Sequence, residues 1–426
     1  MMKNYLLLAE KNGADRAEIF RISTSSFSVS AEGKTVTKEC DLSEGYGLRV
    51  LAAGKLGFSY FAKGGDAQEA VVRALALSKF SRKTCFDFPG SARCADVDVF
   101  DKRVNELDEE SGSKMLDEIV LAIEKPAKPA KCGVEFSSSE IELLNSSGLS
   151  LSEKSTHITC FAQTNAKKSG GSSFRTSTHL DFQPAKVGTE ASERAIDMLN
   201  AKPAKGGRTP AVFEPEALYS LLYSLLLPSF HGERVYRKIS KLHDKLGESI
   251  AIKDFTMSDD PLAKGPSSFS FDGEGTPGRA KALIKGGVVS DFLFDTKTAV
   301  LARGLNPTPG NCGRSSYLSE PAIGMSNAVV KRGNSQDALA DCKNGILICS
   351  VFGEHTANDL TGEFSVSVDR GFRIENGEKT SPVRGNVISG NVFGLLNRII
   401  SIEKTQERYA NLITPRIAFE EIQVVG

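Results

Sequence analysis

The chain of 426 residues carries 53 Lys+Arg against 53 Asp+Glu, with 5 His, 8 Cys and no Trp. Its length suits about two or three domains with a sizeable core. A formal charge of zero excludes the basic footprint of a direct nucleic-acid binder, and no apolar stretch approaches the roughly 20 residues of a membrane span.

The apolar block within residues 1–10 is too short for a signal peptide, and the segment reads as an amphipathic first helix. Residues 17–22 and 27–30 read as strands, and residues 47–61 as a hairpin about Ala53-Gly54. Asp66 stands three residues before Glu69, as in a capping box, and Val71, Ala74, Leu75 and Ser78 then recur on one helical face. From Asp101 a charged segment leads to a short helix with Met115, Leu116, Ile119 and Ile123. The prolines of the 125–131 Lys-Pro-Ala run predict an exposed connection, because each lacks an amide and restricts its predecessor. Strands follow from Gly133 to Thr164, a helix over 191–199, and a break at Lys202–Gly207. After the strand 211–213, Leu218, Leu221, Leu222, Leu225 and Leu226 fall at helical spacing, predicting one buried helix that starts at Pro215 and stops at Pro228. Strands are expected over 268–272, 280–284, 288–294, 345–352, 364–368 and 372–375. The expected class is α+β: an α/β amino-terminal domain over 1–100, a central α/β region over 101–206 and a β-rich carboxy-terminal domain over 207–426.

The eight cysteines form no C-x-x-C pair, as expected of reduced thiols in a cytoplasmic protein. No two of the five histidines stand at i, i+4 or i, i+5, so no local zinc motif exists, and the expectation is no metal held by this chain. Residues 273–278 spell G-x-G-x-x-G, yet Pro277 removes an amide and the following residues alternate as a strand, so a dinucleotide site is not expected. Asp259-Asp260 and the Asp272/Glu274 pair read as solvated turn acids. Cys312 could act as a thiol nucleophile only if His355 reached it; a metal held by distant ligands such as His231 and His355 is the other stand-alone hydrolase reading. The densest polar cluster is 353–365. Its His355, Thr356, Asn358, Thr361 and Glu363 are candidates for a substrate-binding or interface segment, against the alternative of a turn that bonds its own backbone.

Several ordered motifs resemble the TldD/PmbA family across essentially the whole chain. They are Phe271-Asp272-Gly273-Glu274-Gly275-Thr276-Pro277, the run from Leu283 to Asp295, Asn358 to Ser365, Gly371 to Glu378, Pro382-Val383 and Ser389-Gly390-Asn391. Gly47-Leu48-Arg49-Val50 and Gly57 resemble its first domain, and the pattern is that of the TldE/PmbA branch. The resemblance implies three consecutive regions and a cytoplasmic zinc-dependent peptidase assembly. In it a TldD-type subunit bears H-E-x-x-x-H and a TldE-type subunit completes the heterodimer around a peptide substrate. The family is named for modulation of DNA gyrase as well, which leaves a non-enzymatic regulator acting through protein contacts as a further alternative. By order along the chain, the zinc-bearing helix is Glu216–Leu227, which contains no His. Zinc is therefore expected in the partner subunit, and no catalytic residue is assigned to this chain.

Overall fold

Side chains that alternate across a pleated backbone commit much of the first 180 residues to long antiparallel strands. The computed structural model describes residues 2–354 and 357–426. Its first sheet contains β1 (Arg16–Glu32), β2 (Thr35–Ala52), β3 (Lys55–Ala62), β4 (Lys128–Asn145), β5 (Ser150–Ala166) and β6 (Ser169–Ser177) in the order β3-β2-β1-β4-β5-β6. The two stretches expected as separate strands at 17–22 and 27–30 are one strand, because Ser23–Ser26 keep the same register against both β2 and β4. The β2–β3 hairpin turns at Ala53-Gly54, with φ of 51° and 72°, as a two-residue turn with both φ positive requires.

One face of this sheet packs beneath helices. At one end Ile19, Leu48 and Val50 bury against Leu6 and Ala9 of α1 (Met2–Lys11) and Val71 and Ala74 of α2 (Ala67–Ser78). The Asp66 carboxylate caps α2 by accepting from the N–H groups of Gln68 and Glu69. Helix α2 sits so close to β3 that a Cβ on Gly57 would lie 1.9 Å from the Ala74 carbonyl oxygen. At the other end Phe27, Val134, Phe136 and Ile158 bury under the later helices of the central region, against Leu116, Ile119 and Val187. The opposite face turns Phe20 and Leu143 toward Phe271 of the carboxy-terminal half.

The 125–131 run is exposed at Lys125, Pro126, Lys128, Pro129 and Lys131, as its prolines suggested, but only its first residues are a connection. Strand β4 already starts at Lys128, and Ala127 is buried. A register shift between Pro129 and Lys131 accommodates the imino residue, which only a sheet interior with intact pairing would refuse.

The second sheet is built from residues 207–425. Five of its strands close on themselves: β7 (Gly207–Phe213) pairs in parallel with Gly345–Phe352, followed antiparallel by Glu363–Glu375, Val387–Asn391, Leu412–Val425 and β7 again. The ring has no free edge along those pairings, so it is a β-barrel region. Both faces of its strands are buried. Ala211, Phe213, Ile346, Ile348, Ile417 and Phe419 join the largest core, while Val212, Leu347, Cys349 and Ala418 join a smaller one near Met198. Residues 364–368 and 372–375, expected as two strands, belong to one. The stretch 268–272 is no strand, since its pairing is limited to the Phe271–Pro277 bridge.

The Leu-rich segment fills the larger core. It begins as an α-helix over Pro215–Leu221, passes through a π-turn at Leu222–Leu226 and ends as a 3₁₀ turn at Leu227–Phe230. Pro228 does not stop the helix as expected. It sits inside the 3₁₀ turn, near whose start a missing amide costs nothing.

Candidate functional site

Glu18 stands on β1 and Arg49 opposite it on β2, both facing the carboxy-terminal half. Arg49 holds Glu18 with two hydrogen bonds, Nε to Oε1 at 2.9 Å and Nη2 to Oε2 at 2.7 Å, and reaches Glu274 Oε1 with Nη1 at 2.8 Å. Arg314 donates to Glu18 through Nη2 and to the Gly273 carbonyl through Nε at 2.6 Å. Glu18 has no exposed surface and the other three expose 2–3 % of their side chains. Gly45 and Gly47 on β2 admit the 312–317 loop, because a Cβ on Gly45 would lie 2.4 Å from the Tyr317 ring.

The balance of two guanidinium and two carboxylate groups offsets the cost of taking this quartet out of water, incompletely at Arg314, where burial lowers the pKa and Nη1 has no hydrogen-bond partner. Burial pulls the Arg49 guanidinium toward its neutral form, but Glu18 and Glu274 more than offset it and its pKa rises. Burial likewise works against Glu274, and Arg49 overcomes it to hold that carboxylate below its usual range. The remaining Glu274 oxygen accepts the Thr296 N–H at 2.8 Å.

Asp272 organises the same loop. Its Oδ1 accepts the N–H groups of Glu274 and Thr276, both at 2.9 Å, and its Oδ2 accepts that of Cys312 at 3.2 Å. Burial, then the neighbouring Glu274, pushes its carboxyl up to about 7. A second buried knot lies nearby: Asp259 Oδ1 accepts from Ser326 at 2.6 Å, Asp259 Oδ2 from Asn311 at 2.6 Å, and Lys281 donates to Asn311 and to the Thr308 carbonyl.

The reading of Asp259, Asp272 and Glu274 as solvated turn acids is therefore corrected, since all three are buried. Turn propensity reports only the local backbone; what takes Asp272 and Glu274 out of water is the first sheet against their loop, whereas Asp259, on a short strand of the second sheet, is enclosed with Asn311 and Ser326. The thiol reading of Cys312 meets the same environment. The sulfur is buried, and burial together with Glu274 and Asp272 pushes its pKa far up, so no thiolate is at hand to attack.

His355 and Thr356 lie outside the described residues. Asn358, Thr361 and Glu363 come together in a closed turn on the surface. Asn358 Oδ1 accepts the N–H groups of Leu360 and Thr361 at 3.0 and 3.3 Å, the Asn358 N–H donates to the Glu363 carbonyl, and Thr361 Oγ1 donates to Glu363 Oε2 at 3.4 Å. Arg234 anchors the turn through Asp359 at 2.5 Å, and Lys241 and Asn391 donate to the Thr361 carbonyl. The turn leaves Leu360 exposed, with Phe352 exposed nearby in sequence.

The segment expected to carry a metal motif has the backbone but not the ligands. A π-turn aligns residues five apart, which is the spacing of the two histidines in H-E-x-x-x-H, yet here the pairs Leu221/Leu226 and Leu222/Leu227 occupy it with at most 6 % exposure. Saturated side chains offer zinc no lone pair, so the residues present do not fit that ion. Among the described residues no group of three or more His, Cys, Asp or Glu is placed to hold a metal, and His231 lies beyond this helix with its Nδ1 buried and unbonded.

Comparison with known proteins places these features in a wider set. Residues 17–78 match PmbA/TldA metallopeptidase domain 1, residues 102–199 the central domain and residues 206–426 the C-terminal domain. An uncharacterised protein of Methanocaldococcus jannaschii is 29 % identical over 98 % of both chains. Metalloprotease PmbA of Escherichia coli O157:H7 is 27 % identical over 57 % of this chain and 51 % of its own. The crystal structure of TldE from Thermococcus kodakarensis superposes with a TM-score of 0.89 at 25 % identity and covers 100 % of each chain.

Proposed function

We propose, for a chain that belongs to the PmbA/TldD metallopeptidase family, the role of a TldE-type subunit that pairs with a TldD-type subunit in a heterodimeric zinc peptidase. The observation that carries this reading is the Leu-packed segment 215–230, which is buried in the largest core and stands, by order along the chain, where the family resemblance implies a metal-binding helix. A hydrolytic zinc site needs nitrogen or oxygen ligands and a base for the bound water, and a buried row of leucines supplies neither. In this reading zinc and base come from the partner, and this chain shapes the subunit contact or the peptide channel. The exposed Leu360 and the closed turn of Asn358, Thr361 and Glu363 are offered as part of that surface. A cytoplasmic setting accords with eight cysteines that are all free, and no helix among the described residues is long and apolar enough to cross a membrane.

The test compares peptide cleavage by this chain alone, by a TldD-type subunit alone and by the mixture. The expected outcome is chelator-sensitive cleavage that rises on mixing, with none from this chain alone. Chelator-sensitive cleavage in the first tube overturns the proposal, as does failure of the two chains to co-elute.

A further inference from the structure

Where the first sheet meets the carboxy-terminal half, the two do not close completely. A crevice of about 370 Å³ remains between Phe20, Ile22, Ile141 and Leu143 on the sheet and Phe271 and Met325 opposite. Ile22, Ile141 and Glu153 are cross-strand neighbours on β1, β4 and β5, so the Glu153 carboxylate stands at the edge of this apolar floor. Its Oε2 accepts the Ser270 N–H at 2.9 Å. Among the described residues no ion pair reaches it, with Arg314 elsewhere in the lining of the same crevice; burial pushes its carboxyl up, and only hydrogen bonding with Ser270 works the other way.

The other charged groups of the crevice are engaged except at Arg314 Nη1, which is buried without a hydrogen-bond partner. Arg314 is held by Glu18 and the Gly273 carbonyl, and Asp272 by three backbone N–H groups. Glu153 also borders the open cavity outside, about 680 Å³, along whose wall stand Asp96, Lys154 and Asp98, the last in contact with His179. A cation approaching from solvent thus meets three carboxylates against one lysine, with a largely apolar chamber behind them. Pockets at domain junctions with apolar walls and a few convergent polar groups are the usual form of a small-ligand site.

We propose that this crevice binds an organic monocation with an apolar body, an alkyl- or arylammonium group whose nitrogen pairs with Glu153 and whose body lies between Phe20 and Phe271. The ammonium could belong to a free amine or to a lysine side chain of a polypeptide, and the chemistry of recognition is the same. The site lies within this chain, so the proposal stands or falls without reference to a partner subunit.

Titration calorimetry of the full chain with 2-phenylethylammonium and with its neutral counterpart 2-phenylethanol tests it. A hydrogen bond between ions is stronger than a neutral one, so the ammonium is expected to bind about tenfold tighter or more. In Glu153→Gln that preference should shrink to within about twofold at an unchanged Tm. N-acetyl-lysine N-methylamide forms the second arm: saturable binding assigns the site to a polypeptide side chain, and its absence beside phenylethylammonium binding assigns it to free amines. Either supports the proposal. No saturable binding of phenylethylammonium at millimolar concentration, or equal preference in Glu153→Gln, overturns it.

Discussion

Arg49 touches two carboxylates on two halves of the molecule, and its removal leaves Glu274 buried without a counter-charge and Glu18 with Arg314 alone. Breaking a buried pair in this way costs about 3–5 kcal/mol, so Arg49→Met should lower the urea-unfolding free energy by roughly that amount. Adding Glu274→Gln should recover part of it, and strict additivity of the two changes would show that the contact carries no coupling. Asp272 acts with the opposite sign in pH. Its folded value of about 7 lies above its ordinary 3.8, so the folded chain keeps a proton that the unfolded chain has released. That contribution is complete below about pH 4 and is lost as pH rises through about 7. Asp272→Asn, neutral throughout, should flatten the decline; an equally steep profile in the variant would refute the assignment. Thiol labelling separates the cysteines: Cys40 and Cys85 are exposed and Cys312 is buried. The first two should react with an aromatic disulfide reagent in the native state, and Cys312 only after unfolding.

At the scale of elements, the helical spacing of Leu218 to Leu226 made burial readable in advance, and all five leucines are buried. The π-turn was not readable, because a run as apolar as Leu221–Leu227 satisfies a period of 3.6 or 4.4 residues equally well. Leu225 has no exposed surface in the core of the barrel half, and Leu225→Ala should cost about 2–5 kcal/mol, measured as a lower denaturant midpoint. A loss below about 1 kcal/mol would mean that the segment is less tightly packed than its burial indicates. The hairpin at Ala53-Gly54 and the cap at Asp66 were legible because each is a contract between near neighbours. The start of β4 was not. Its prolines argue against a strand locally, and only pairing with Asn165 and Thr164, more than thirty residues away, holds Lys128 and Pro129 in the sheet.

For the whole molecule, the quartet of Glu18, Arg49, Glu274 and Arg314 joins the first sheet to the barrel half, and the two should unfold together. Calorimetry of the native chain is expected to give a single transition, and Arg49→Met two, with the barrel half melting later because it holds the larger core. Two transitions in the native chain would show that the quartet does not couple the halves. The ordered Phe-Asp-Gly-Glu-Gly-Thr-Pro motif marked family membership, but its residues looked like an acidic turn tip. Their work is to cap the loop through Asp272 and to reach Arg49 through Glu274, a partner 225 positions away. Periodicity, caps, turns and the absence of a histidine pair were settled along the chain, since each depends on residues a few positions apart. The burial of Asp259, Asp272 and Glu274, the closure of the barrel and the unpaired Glu153 at the crevice were settled only by the meeting of distant strands. Whether a carboxylate is solvated, paired or left waiting for a cation depends on what the fold sets against it.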